Sequence, residues 1–181
     1  MPYYNQHLVY CGSDYNRCKD IETKIVPYSN KYPGKIHFWG NWLKDSQKEF
    51  REKNKNIVFH DRIGGRRFRE VYSRAIAVPL LSMEEYKKFG HMVMRILESI
   101  LFGSIPIGFS DFYGIDKFLP KELIVDMDNY EKSMEDVMNH LKYMGYLDRI
   151  NLRKRLVEKL RKNHDAKNFV DNLIKIEKKI L

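Results

Sequence analysis

Between Gly90 and Gly108 the chain reads GHMVMRILESILFGSIPIG, and Arg95 and Glu98 stand three residues apart within it. Around them Met92, Val93, Ile96, Leu97, Ile100 and Leu101 recur at helical spacing. An arginine carries a permanent charge and a planar fork of N–H donors, the geometry that grips phosphate oxygens. A carboxylate accepts hydrogen bonds on both oxygens and suits the paired hydroxyls of a ribose. The spacing predicts a helix over Met92–Phe102, closed by Gly103 in a left-handed cap and followed by a short buried strand from Ser104 to Phe109. Gly90 and His91, ahead of that helix, would leave its first N–H groups and the positive end of its dipole facing an anion. The same residues also read as a solvated Arg95–Glu98 pair at i,i+3.

Such a pair needs a scaffold, and the rest of the chain has the rhythm of one. His7–Cys11 is an apolar run ending in Gly12-Ser13, a first strand turning into a helix from Asp14 to about Val26. Strand, glycine turn and helix bring backbone N–H groups close to a phosphate. Arg17 falls where its side chain reaches the same place, although it also reads as an ordinary helix-surface arginine. Pro27–Gly34 reads as a loop, Lys35–Gly40 as a second strand, Trp42–Lys53 as an amphipathic helix with Trp42, Leu43 and Phe50 inward, and Asn56–His60 as a third strand. The loop Asp61 to Arg67 and a helix from Phe68 to Ser73 lead to Ala75–Leu81, an apolar run suited to a central strand, tempered by Pro79. Ser82–Phe89 is a polar loop or short helix, and Leu123–Asp126 a last strand. Tyr130–Tyr146 carries methionines at core spacing, and Arg149–His164 and Asp165–Leu181 read as two basic helices. Strands alternating with helices predict an α/β, Rossmann-like three-layer domain with a mostly parallel sheet and a helical C-terminal tail.

Composition narrows the partners. A chain of 181 residues, 43% hydrophobic and 13% aromatic, has single-domain size and builds a core without staples. Cys11 and Cys18 are too few for a disulfide framework and lack further ligands at zinc spacing. No apolar run approaches membrane-spanning length, so the cytoplasm is the expected location. The net charge of +9 is concentrated: residues 149–181 hold eleven Lys and Arg against four Asp and Glu. That tail keeps nucleic-acid binding open as a function, although no zinc finger or RNP pattern accompanies it.

The segment R-I-L-E-S-I-L-F-G-S-I-P-I resembles the donor-site element of exostosin-like glycosyltransferases of the GT-B fold: Arg, two residues, Glu, four residues, Gly, a small residue, then Ile-Pro. The resemblance spans about Leu8 to Asp128 and is dense from Arg95 to Pro120. It implies a C-terminal, nucleotide-sugar-binding half with residues 1–147 as the donor domain and residues 148–181 as helices packed on it. It also implies that Glu98 holds the ribose, that Gly12, Ser13, Arg17, Gly90, His91 and Arg95 surround the diphosphate, and that the loop with Arg62, Ile63 and Arg66 meets base or phosphate. That loop equally reads as a solvated basic turn. Many retaining enzymes of the group carry an acidic residue eight positions before the ribose-binding Glu, where this chain has Gly90, so no catalytic carboxylate carries over.

The implied reaction moves a sugar from a UDP- or GDP-linked donor to an acceptor. Fixed positive charge stabilises the departing diphosphate, and no metal is required by that chemistry. A complete enzyme of this type needs a second, acceptor-binding domain or a partner chain, and this half can be inactive alone. His60 and His91 lie near the expected edge, but neither is assigned as a base, and Asp111 reads as a sugar contact or a turn residue. The alternatives are a non-catalytic nucleotide-binding module and a nucleic-acid-binding domain acting through the basic tail.

Overall fold

Each short apolar run becomes a strand whose neighbours come from distant parts of the chain. The computed structural model describes residues 6–14, 16–64, 66–90 and 94–164. Its strands are β1 (Gln6–Cys11), β2 (Ile36–Trp39), β3 (Ile57–His60), β4 (Ala75–Pro79), β5 (Pro106–Phe109) and β6 (Ile124–Val125). They form one parallel sheet in the order β3-β2-β1-β4-β5-β6, in register at pairs such as Leu8 with Ile36 and Leu8 with Ala77. The order reverses at β1, so the connection after β3 crosses to β4 on the far side. In open parallel sheets that reversal opens a crevice at the carboxyl ends of the two strands.

Pro79 sharpens the crevice. Val78 and Leu80 donate their N–H groups to Ile105 and Ile107 on the β5 side, at 2.9 Å each. Alternation then turns position 79 toward β1, where proline has no N–H to give. The β1–β4 register ends at Leu8 with Ala77, because the next pair would need the N–H that Pro79 lacks.

The helices are α1 (Cys18–Lys24), α2 (Val26–Lys31), α3 (Lys48–Lys53), α4 (Arg66–Ser73), α5 (Glu84–Phe89), α6 (Arg95–Leu101), α7 (Tyr130–Tyr143) and α8 (Tyr146–His164). Several differ from the sequence reading for local reasons. The Asp14 side chain accepts the Arg17 N–H at 3.1 Å and holds a turn there, so α1 starts only at Cys18. The supposed loop after Val26 is the helix α2, because Pro27 sits in its first turn, where a missing N–H costs nothing. The helix expected over Trp42–Lys53 is two short 3-10 turns followed by α3; Trp42 is fully buried but Leu43 is half exposed. Gly103 adopts the left-handed conformation (φ 98°) expected after α6.

The tail is less solvated than its charge suggests. Leu152, Leu156 and Leu160 of α8 join the main core. Arg149, buried, donates to the carbonyls of Ile76 and Leu141, Arg153 donates twice to Ile100 at the end of α6, and Lys159 donates to Leu119. Cations placed on helix-terminal carbonyls satisfy groups that a helix leaves unpaired. The second basic helix expected over Asp165–Leu181 lies outside the described residues.

At the carboxyl edge a buried ionic cluster ties three elements together. Lys24 Nζ lies 2.6 Å from Asp20 Oδ1 and 2.8 Å from Asp111 Oδ1, beyond β5. Lys87 of α5 meets the same two carboxylates at 3.0 and 3.2 Å and Glu84 at 2.8 Å. Asp20 also accepts the Ser82 N–H at 3.1 Å. Asp111, read as a sugar contact or a turn residue, is therefore an ion-pair partner. Removing one member of such a cluster strands the others in low dielectric. Lys24→Ala is expected to lower the unfolding free energy in urea by about 3 kcal/mol. Lys31→Ala, which breaks the exposed pair with Glu135, is expected to leave the urea midpoint nearly unchanged.

Candidate functional site

β1 delivers Gly12 and Ser13 to the crevice, and the turn is held from the β2 side. The Gly12 N–H donates to the Trp39 carbonyl at 2.8 Å, and the Gly12 carbonyl accepts from Trp42 Nε1 at 2.6 Å. Ser13 Oγ accepts the Asn41 N–H at 3.4 Å. Gly40 packs so closely on Gly12 that any side chain there would run into the Gly12 carbonyl. Arg17 reaches back over the turn, with Nη1 3.4 Å from the Ser13 carbonyl.

From the other side Arg95, the first residue of α6, lays its guanidinium on the turn. Its Cζ stands 4.6 Å above the centroid of the Tyr10 ring. A Cβ on Gly12 would lie 2.7 Å from Arg95 Nη2, so only glycine admits the guanidinium in this position. Burial works against the charge, but Tyr10, Tyr72 and Glu98 outweigh it and hold the Arg95 pKa above the ordinary arginine value. Glu98 lies one turn further along α6 and is half buried. No ion pair within 4 Å joins it to Arg95 among the described residues, so the solvated i,i+3 pair does not form.

The remaining sequence candidates separate. Gly90 does not open α6: it ends α5 in the left-handed conformation (φ 64°), and a Cβ there would lie 2.7 Å from the Tyr113 carbonyl. Its place in the chain is therefore explained by the α5 cap, and α6 begins five residues later. His91 lies outside the described residues, as do Met92 and Val93 of the expected helix. Beyond β3, Arg62, Arg66 and Arg67 are exposed, while Ile63 is half buried against the cluster of Val9, Cys11, Val71 and Tyr72. Cys11 is buried, and its thiol is pushed up to about 12 by that burial, which makes it inert.

His60, at the end of β3, is engaged structurally. Its ring stacks on Trp39 at 3.8 Å, and its Nε2 lies 2.9 Å from His37 Nδ1 on the adjacent strand. Among the described residues no group of three or more His, Cys, Asp or Glu is placed to hold a metal ion. No helix among them is long and apolar enough to cross a membrane. The sequence reading missed Tyr10, which looked like one more apolar strand residue, although its alternation with Leu8 placed it on the face toward Phe38 and Trp42.

A six-stranded parallel sheet with its switch point between β1 and β4, bearing an arginine over the first glycine turn, is the Rossmann-like architecture of a GT-B C-terminal-like domain. No protein-family model and no curated protein matches the chain. Among solved structures it is similar to T4 phage BGT in complex with UDP and Mn2+, with a TM-score of 0.67 and 20% identity over 97% of this chain and 49% of that one. It is similar to TarM, with a TM-score of 0.62 and 10% identity over 96% of this chain and 35% of that one. A UDP-forming α,α-trehalose-phosphate synthase from Burkholderia xenovorans gives a TM-score of 0.59 and 11% identity over 96% and 44%. These neighbours are GT-B glycosyltransferases, and the likeness is one of fold. The chain spans half or less of each.

The histidines carry a testable pH signature. Burial and the neighbouring His60 push His37 down to about 4, and burial also lowers His60 and His7. A histidine that titrates lower when folded favours the native state above its unfolded value near 6.5. That contribution is lost as pH falls from about 6.5 toward 4. The thermal midpoint is expected to drop between pH 7 and 4.5, and the paired variant His37→Asn/His60→Asn to flatten that drop.

Proposed function

We propose that this chain is the donor-binding half of a glycosyltransferase that transfers a sugar from a UDP- or GDP-linked donor. The observation that carries this reading is the Arg95 guanidinium held over the Gly12–Ser13 turn at the β1–β4 switch point. Arg95 and Arg17 supply fixed positive charge for the diphosphate as it departs, in a partly desolvated crevice where charge acts strongly. Glu98, half buried one turn along α6, takes the ribose hydroxyls. Ile63, with the exposed Arg62 and Arg66 beside it, lines the base end of the crevice. Residues 1–147 form the donor domain, and the tail from residue 148 packs on it through α8. Structural neighbours solved with UDP or UDP-glucose support the donor class. The acceptor and its base belong to a second domain or a partner chain, since each neighbour is at least twice as long as the stretch matched here.

A second reading concerns the acceptor. α8 and α6 bound a groove of about 430 Å³ lined by Arg153, Lys154 and Arg161 together with Ile100 and Leu101. One neighbour is described as a DNA-modifying β-glucosyltransferase. A nucleic acid as acceptor would use that basic surface, with binding that weakens steeply with salt.

Calorimetric titration with UDP, GDP, UDP-glucose and a nucleoside monophosphate, with and without Mn2+, tests the donor reading. One diphosphate is expected to bind selectively, and Arg95→Ala and Glu98→Ala to weaken it by about tenfold to a hundredfold each, as for hydrogen bonds to charged groups. A folded protein that binds none of these ligands overturns the reading.

A further inference from the structure

Donor recognition as described makes no use of Tyr10, yet Tyr10 is the residue on which Arg95 rests. The side chain is fully buried, and its ring is held at 5.1 Å by Phe38 and at 6.4 Å, edge-on, by Trp42. Trp42 in turn anchors the Gly12 carbonyl. The aromatic group that supports the guanidinium is thus fastened to the turn that the guanidinium covers. Above Gly12, Tyr10 Oη and both terminal nitrogens of Arg95 crowd the place a Cβ would take, at 2.9, 2.7 and 3.0 Å. Arg95 Nε is buried without a hydrogen-bond partner among the described residues, and the Tyr10 side chain helps hold the charge of the guanidinium.

How the arginine is held decides what it can still do. A carboxylate partner would occupy the in-plane N–H fork, the part that recognises a phosphate. An aromatic ring holds the cation by its flat face and leaves the fork open. It also removes rotamer freedom that a ligand would otherwise have to quench on binding. We propose that Tyr10 is a positioning residue for the donor anion, fixing Arg95 over the Gly12–Ser13 turn with its N–H edge available. This rests on the reading that Arg95 takes the diphosphate.

The test combines ligand-free NMR of the Arg95 side chain with titrations of UDP and inorganic pyrophosphate. In the wild type and in Tyr10→Phe, the Arg95 Hδ protons are expected upfield, shifted by the ring beneath them; in Tyr10→Leu they return to ordinary positions. Tyr10→Phe is expected to bind UDP within about threefold of wild type. Tyr10→Leu is expected to weaken both ligands about tenfold or more, and the Tyr10→Leu/Arg95→Gln pair to bind no more weakly than Arg95→Gln, as for two residues acting as one. A folded Tyr10→Leu with wild-type affinity, or losses that multiply in the pair, overturns the proposal, as do unshifted Arg95 protons in the wild type. Should Tyr10→Leu fail to fold, Tyr10→Met fills the same space with a longer apolar side chain that has no aromatic face. The same loss of affinity then supports the proposal, and undiminished affinity overturns it. Wild-type protein that binds neither ligand overturns the donor reading itself, whereas upfield Arg95 signals in that protein still support the contact with Tyr10.

Discussion

Four buried or half-buried charges at the carboxyl edge, Asp20, Lys24, Lys87 and Asp111, constrain everything around the crevice. They come from α1, from α5 and from the turn after β5, elements that share no sheet hydrogen bonds with one another. In low dielectric each charge must keep its partners, so the three elements are located by electrostatics rather than by packing alone. Lys24 also lies 4.7 Å over the Phe109 ring, which links the cluster to the core beneath β5. A shift of α5 would break contacts to both carboxylates at once. The loops on this side of the crevice are therefore held by interactions with steep distance dependence.

The cations of this chain divide into two populations with different work. Lys24 and Lys87 neutralise buried carboxylates, and Arg149, Arg153 and Lys159 complete carbonyls at the ends of other elements. Arg95 is the counterexample, resting on a ring, with no carboxylate within 4 Å of it among the described residues. A net charge of +9 thus says little until each cation is asked what it already touches. The basic tail is partly a device for fastening α8 to the sheet, and the arginine that covers the first glycine turn lies far from it in the chain.

Much of the architecture was legible because it rests on local signals. The Arg95–Glu98 helix, its left-handed Gly103 and the strand after it follow from spacing and from glycine's conformational range. The parallel sheet follows from alternation of element types. The first glycine turn was legible as a turn at the end of β1 for the same reason. What could not be read were partners far apart in sequence. Asp20 and Lys24 look like an ordinary surface pair at i,i+4, and nothing local shows that Lys87 and Asp111 will close around them. Gly90 was read with the helix after it when it completes the helix before it, since a glycine between two helical patterns serves either one. Tyr10 was hidden by its neighbours: in a strand buried on both faces, a ring that supports a cation has the same pattern as one that only fills space.

Pro79 shows how a ladder can end in the middle of a sheet without stranding a donor. Wherever two strands diverge inside a protein, an N–H that had faced the ladder is left in a dry environment with no acceptor, at a cost of about 1–3 kcal/mol. A proline at that position has no such group to desolvate. The ladder between β1 and β4 therefore stops at Pro79 with no orphaned N–H on the β4 side, and what it leaves at the head of the crevice is carbonyl oxygen, which tolerates an unmade bond more readily than a donor does.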